Sequence, residues 1–296
     1  MLGACDVESG PTAEQRAVLT AIVSGYWGRS DLDLDALRPL DPAAAAASIT
    51  GAAHRRRARE LLVLLELCRH PLSEAQVERV DEYAAALGES GPGLELARTL
   101  VREGAARALA DYQRYTDEVM PDLAERSLRG GDLAHDAPDP ELAARLRALH
   151  DLPVGTLGYE YVEFYRRNGL RLPGDDPHMP AVFVSHDMCH VIGGYEPTGQ
   201  GEIALGAMQL AVTDTDAHWI GFLGDLGVHE AGYLNQGALV AKSASLTRAG
   251  ATEMLGEAFR RGSLCTGDFT TADHLALVEL PISDVRDRFG VPPRRS

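Results

Sequence analysis

Apolar residues recur with a helical period along most of the chain. Val18, Leu19, Ile22 and Val23 line up as one stripe, which predicts a helix that Gly25 and Gly28 stop. A second helix is predicted over Ala52–His70, where a basic start from His54 to Arg59 runs into LLVLLEL. Pro71 ends it, because proline disfavours helix in the residue before it. Ser73 suits the N-cap of a third helix with Gln76 as capping-box partner, and Gly88 closes that helix after Leu87. Gly91-Pro92-Gly93 breaks the chain before a long helical pattern from Leu94 to about Val119.

Residues 121–140 are polar, with Gly130-Gly131, Pro138 and Pro140, and read as a linker or exposed loop. Beyond them the chain carries more Gly and His and longer apolar runs. Only Ala181–Val184 has a strand-like composition. The pattern predicts an all-α protein: an N-terminal helical bundle domain over 1–125 and a second α-helical domain over 126–296. Trp219–Val240 is long enough to span a bilayer, but Asp225, His229, Glu230 and Asn235 interrupt it. Hiding such groups in lipid costs several kcal/mol, so a buried helix or helix pair of a soluble protein is expected.

Charge narrows the function. The 296 residues carry 44 Asp and Glu against 28 Lys and Arg, a formal charge of −16. A general nucleic-acid binder needs Lys and Arg to replace counterions, so that class is excluded. An electrostatic hold on anionic lipid is excluded too, which leaves apolar surface as the route to peripheral membrane contact. Cys5, Cys68, Cys189 and Cys265 lie far apart with no CxxC pair, so a zinc ribbon or a thioredoxin-like site is out. With no signal-like pattern in MLGACDVESG, free thiols in a reducing cytoplasm are expected.

The chemistry concentrates in VFVSHDMCHVIGGYEPTGQGEIA (182–204). His186 and His190 are i and i+4, about 40° apart on one helix face, so both imidazoles can meet one ion. Asp187 lies about 60° from His190 on the same flank. Ser185 suits a cap for this helix, and Gly193-Gly194 ends it. Pro197 and Gly199 make a turn, and a helix beginning at Gly201-Glu202 folds back so that Glu202 faces the His pair. Two imidazoles and two carboxylates without a thiolate suit one divalent ion: zinc, iron or manganese. Cys189, on the other side of His186, is read as packing. The second residue of the motif is Asp, which separates it from the metalloprotease H-E-x-x-H.

His186, Asp187 and His190, then eleven residues, then Glu202, resemble the signature of the ubiquinone biosynthesis protein Coq-four family. Leu152-Pro153-Val154-Gly155-Thr156-Leu157-Gly158 is similar to that family's Leu-Pro-x-x-Thr-Leu-Gly segment, and PISDVRDRFG (281–290) to its C-terminal end. The resemblance covers about Leu142–Pro293. It implies an α-helical fold and a metal held by the four motif residues. It also implies a part in oxidative decarboxylation of a polyprenylated aromatic ring, a lipid-like ligand and a role in organising other biosynthetic proteins. Residues Thr12–Gly88, with the run LLVLLELCRHPLSEAQVERVDEYAAALG, resemble the TerB-like helical domain, which implies an interaction or packing module.

The expected function is thus a metal-dependent enzyme acting on an apolar aromatic or carboxylated substrate through His186, Asp187, His190 and Glu202. The alternatives are a lipid-binding scaffold with a structural metal and a regulatory helical module. The expected partners are a hydrophobic small molecule and a homodimer or biosynthetic complex. Among other polar groups, Arg55, Arg56 and Arg57 are read as a solvated helix start and His218-Trp219 as an exposed cap. His229-Glu230 is read as a satisfied polar pair, and Arg286 and Arg288 as balancing a local acidic face. Tyr159, Tyr161 and Tyr165 are read as core, with one phenol free to line a cavity.

Overall fold

The computed structural model describes residues 1–70, 72–91, 94–95, 98–99, 121–128, 138–175, 181–231 and 244–294. The described residues are all-α, as expected, with an isolated bridge between Thr156 and Pro281 and no strand. Most of the helix expected over 94–119, the Gly130-Gly131 stretch, Pro71 and the tail of the Trp219–Val240 run lie outside the described residues.

Helix α1 (Ala13–Ala21) starts on a full capping box. Thr12 Oγ1 accepts from the Gln15 N–H at 3.2 Å, and Gln15 Oε1 accepts from the Thr12 N–H at 3.0 Å. The helix continues into a π-helical turn, Ile22–Tyr26. Gly25 therefore does not stop it. It lies inside that turn, where a Cβ would overlap the Gly256 backbone, so its smallness serves a close approach of two helices rather than a break.

Helix α2 (Pro42–Ser48) is capped by Asp41. Helix α3 (Ala52–Leu67) ends before the expected His70 and buries Leu61, Leu62, Val63, Leu64 and Leu65. In α4 (Glu74–Leu87) the Ser73 hydroxyl caps the Gln76 N–H at 3.3 Å and Gly88 closes the helix at φ 73°. The reciprocal half of the expected capping box is missing, because the Gln76 amide is spent in the core. Its Nε2 donates to Ala4 O at 2.8 Å and its Oε1 accepts from Gln15 Nε2 at 3.1 Å.

The later helices are α5 (Pro140–Ala148), α6 (Leu157–Asn168), α7 (Phe183–Gly193), α8 (Gly199–Val212), α9 (Asp216–His229), α10 (Ala251–Leu264) and α11 (Ile282–Phe289). The strand-like Ala181–Val184 is a turn leading into α7. Helix α8, apolar on almost every face, packs against α10 and α9. In turn α10 receives α1 and the π turn, and α9 meets α3. The segments 1–125 and 126–296 both contribute to one buried cluster, with Val18 and Leu64 from the first and Phe164, Ile203 and Phe259 from the second.

Polar ties run between the same segments. Arg57 pairs with Asp214 at 2.7 Å and Arg56 with Asp216 at 3.2 Å, while Arg55 donates to the carbonyls of Ile49 and Leu87 at 2.7 and 3.0 Å. Arg56 remains at the surface as expected of a solvated helix start, whereas Arg57 is largely covered and ties the two segments. Buried Glu230 bonds His70 Nε2 at 2.9 Å and accepts from the Leu246 N–H at 2.7 Å, so its shown partners are long-range. His218 and Trp219 are buried, and Thr215 makes the cap of α9.

Two features hold the frame of α7. At its C-terminal end, Arg286 donates to the carbonyls of Val191 and Ile192, each at 2.9 Å, and Arg261 donates to that of Gly193 at 2.8 Å. These carbonyls have no partner within the helix and carry the negative end of its dipole. Arg286 is therefore a helix cap, not a counter-charge to an acidic face, and Arg288 lies over Phe289. Elsewhere, His274 Nδ1 donates to Glu125 Oε2 and its Nε2 to Phe269 O, both at 2.8 Å. Burial works against a charge on His274, but Cys189 and Glu125 beside it push its pKa up to about 10.

Replacing Arg261 with Met leaves buried carbonyls without donors. The expected loss is on the order of 3 kcal/mol, read as a lower urea midpoint. The His274 contribution is complete below the ordinary imidazole range and fades as pH rises through about 10. The stability gap between the native chain and His274→Gln should shrink steadily over that alkaline range in denaturation curves at stepped pH.

Candidate metal centre

Helices α7 and α8 and the turn between them build the site. Gly194 ends α7 at φ 74°, and the Thr198 hydroxyl caps α8 by accepting from the Gly201 N–H at 3.2 Å. Gly201 is the tight point, because a Cβ there would overlap the Glu196 carbonyl. Only glycine lets so short a turn double back, and the next residue is Glu202. Ser185 does not cap α7. It lies within the helix, and its hydroxyl donates to Leu123 O at 2.6 Å.

The turn brings Glu202 to the His pair as expected. Its Oε2 lies 3.2 Å from His186 Nε2 and 3.0 Å from His190 Nε2, and the two Nε2 atoms are 3.2 Å apart. Asp187 joins the imidazoles in a group whose ligand-type atoms lie within 4.8 Å of one another. His190 is fully buried and stacks on Phe164 at 5.3 Å. Its Nδ1 sits 2.9 Å from the Tyr195 carbonyl, which accepts a hydrogen bond from the Nδ1–H and so leaves Nε2 as the lone-pair donor. His186 is the accessible member, with 30% of its side chain exposed.

The charges show what the cluster asks for. Burial opposes protonation of His186, yet hydrogen bonding and attraction from Glu202 push its pKa up to about 10. Burial also raises Glu202, and the two histidines overcome it and hold the carboxyl well below its usual range. Burial raises Asp187, partly offset by His186 and His190. With both imidazoles neutral, two lone pairs and a carboxylate oxygen converging at about 3 Å repel one another unless a proton or a metal cation lies among them. A divalent ion bound at about 2.0–2.1 Å spaces tetrahedral ligands roughly 3.3 Å apart, close to the edges here. The spacing of His186, His190 and Glu202 therefore fits a divalent ion, and Asp187 lies beside the two imidazoles.

Two residues beyond the motif shape this centre. The Tyr165 hydroxyl on α6 donates to Asp187 Oδ2, and Tyr161 bonds Tyr165 at 3.4 Å. Tyr165 is thus more than core packing, whereas Tyr159 stacks on His150. Asp225, on α9, approaches Gly206 so closely that a Cβ there would overlap its Oδ2. Burial raises its carboxyl well above the usual range, and it senses both His186 and Glu202. In sequence Asp225 registers only as a charge interrupting an apolar run. The signal available was a lone acid in a buried helix. Cys189 is buried near Phe269, Thr270 and His274.

No family model matches the chain, and no curated protein matches it. Among solved structures it is similar to a protein provisionally assigned to ubiquinone biosynthesis from Nostoc punctiforme. The two chains are 21% identical over 80% of this chain and 99% of the other, with a TM-score of 0.38.

Replacing Tyr165 with Phe frees Asp187 while keeping the ring. Divalent-metal affinity should fall by about tenfold or more, measured by competition with a chromophoric chelator.

Proposed function

We propose that this chain is a metal-dependent enzyme of the Coq-four type, acting on an apolar, carboxylated or hydroxylated aromatic compound, with oxidative decarboxylation as the reaction class. The observation that carries the reading is the convergence of His186, His190 and Glu202 on one point, with one ligand side chain partly exposed. A structural metal is best served by ligands closed off from solvent. A site that works on a substrate needs an open side.

When bound, the ion supplies a Lewis acid that stabilises negative charge developing on a carboxylate or phenolate oxygen. The residues of the chain do the rest. Tyr195 O sets the tautomer of His190, Tyr165 fixes Asp187, and Phe164 covers one side of the imidazole against water. Asp225, close enough to feel both His186 and Glu202, is the group that meets a substrate hydroxyl or carboxyl in this reading. No helix among the described residues is long and apolar enough to cross a membrane.

Elemental analysis of the purified chain should find about one divalent ion, and His190→Ala and Glu202→Gln should lose it. The native chain, incubated in air with a prenylated hydroxybenzoate, should release carbon dioxide, and Asp225→Asn should slow release with the metal retained. Metal without turnover on any ring-carboxylated phenol would favour the scaffold reading, and absence of metal would remove both.

A further inference from the structure

The carbonyl that orients His190 belongs to a residue outside any helix. Tyr195 follows Gly194, the left-handed close of α7 at φ 74°, and precedes α8, which begins at Gly199. Two bonds join it to His190. The Nδ1–H of His190 donates to Tyr195 O at 2.9 Å, and the Tyr195 N–H donates to His190 O at 3.2 Å. A carbonyl just past a left-handed glycine has no helical ladder behind it, so its position depends on what holds the side chain.

The Tyr195 side chain is buried, and two guanidiniums lie over its ring, Arg261 at 5.3 Å and Arg294 at 4.8 Å. A cation over an aromatic face is attracted by the ring's electron density. The same two arginines grip the end of α7. Arg261 donates to Gly193 O at 2.8 Å and Arg294 to Gly194 O at 2.9 Å. One pair of cations therefore holds both the ring of Tyr195 and the two carbonyls that precede it.

Arg261 is buried within α10. Arg294 reaches the same ring from a strap, residues 291–294, which leaves α11 after Gly290 at φ 64°. Its course is set by three contacts. The Val291 N–H donates to Arg286 O at 2.9 Å. Pro292 O accepts from Arg261 Nε and Nη2 at 2.9 and 2.7 Å, and Glu257 lies 4.0 Å from Arg294 Nε. Pro292 and Pro293 stiffen the strap, because their rings fix φ. Arg294 is thus delivered to Tyr195 by backbone that is already placed.

We infer that Arg294 is a positioning residue for the metal centre: through Gly194 O and the Tyr195 ring it keeps the Tyr195 carbonyl on His190 Nδ1, and so keeps His190 Nε2 aimed at the ion. None of its contacts given above reaches His186, Asp187, His190 or Glu202, so its effect on the ion runs through Tyr195 and Gly194. This role rests on the metal reading of the cluster.

The test is a titration of the full chain with Co(II). It is read as the visible absorption band, which reports coordination geometry, and as affinity by competition with a chromophoric chelator. Arg294→Met should weaken binding by about tenfold and alter the band. Its side chain is 36% exposed, so the fold should survive, checked by far-UV circular dichroism. Tyr195→Leu removes the ring that Arg294 works through and should cost at least as much. The double variant Arg294→Met, Tyr195→Leu should then bind as Tyr195→Leu does. Arg288→Met removes an exposed arginine near the same end of the chain, one that lies over Phe289, and should match the native chain in affinity and band. With Tyr195→Leu unfolded, the contrast between Arg294→Met and Arg288→Met decides. Native affinity and band in Arg294→Met, additive losses in the double variant, or an equal loss in Arg288→Met would overturn the inference and leave the metal reading standing. A native chain that takes up no Co(II) would remove both.

Discussion

The metal-motif helix is held by its end. Arg261 and Arg286 arrive from two different helices and take the three carbonyls that close α7, so that helix cannot rotate or slide without uncapping itself. Everything at the candidate centre inherits this restraint. His190 stands a single turn from the capped end, its ring locked by Tyr195 O, and the backward turn at Gly201 then leaves Glu202 one place to go. Because Arg261 also donates to Pro292 O at 2.7 Å, the chain's C-terminal stretch is fastened by the same guanidinium.

The donor cluster accumulates charge that the protein alone balances only by keeping a proton on an imidazole. A largely buried carboxylate and two imidazoles within about 3 Å form a poor hydrogen-bonded core and a good ligand set. The contrast with His274 and Glu125 is instructive. That buried pair satisfies both ring nitrogens with acceptors, and the carboxylate also accepts from the Leu275 N–H at 3.2 Å. At His274 each ring nitrogen faces its own acceptor, whereas the Nε2 atoms of His186 and His190 share a single carboxylate oxygen.

Much of this was legible in the sequence. Helical spacing placed His186, Asp187 and His190 on one face, and Gly194, Pro197 and Gly199 announced the turn that returns Glu202. Gly88 and Ser73 marked helix ends correctly because caps are local chemistry. What sequence hid was long-range. The fate of the Gln76 amide depends on Ala4 and Gln15, that of Arg286 on α7, and that of Gly25 on Gly256. Arg55, Arg56 and Arg57 read as solvent-facing because Glu60 is the one acid close by in sequence, whereas Asp214 and Asp216 lie far along the chain. Asp225 read as a flaw in an apolar run for the same reason.

The seam between α1 and α10 bears on how the chain is made. Residues 13–26 dock on residues 251–264, and Gly25 and Gly256 touch backbone to backbone. Helix α1 is therefore synthesised well before α10, and its apolar stripe waits for that later helix before it is covered. Loops that long close slowly, and the exposed stripe is a hazard while they do. The early helices must find interim shelter on α3 or in a chaperone, and a truncation that removes α10 would strand the N-terminal helix even though it lies at the opposite end of the sequence.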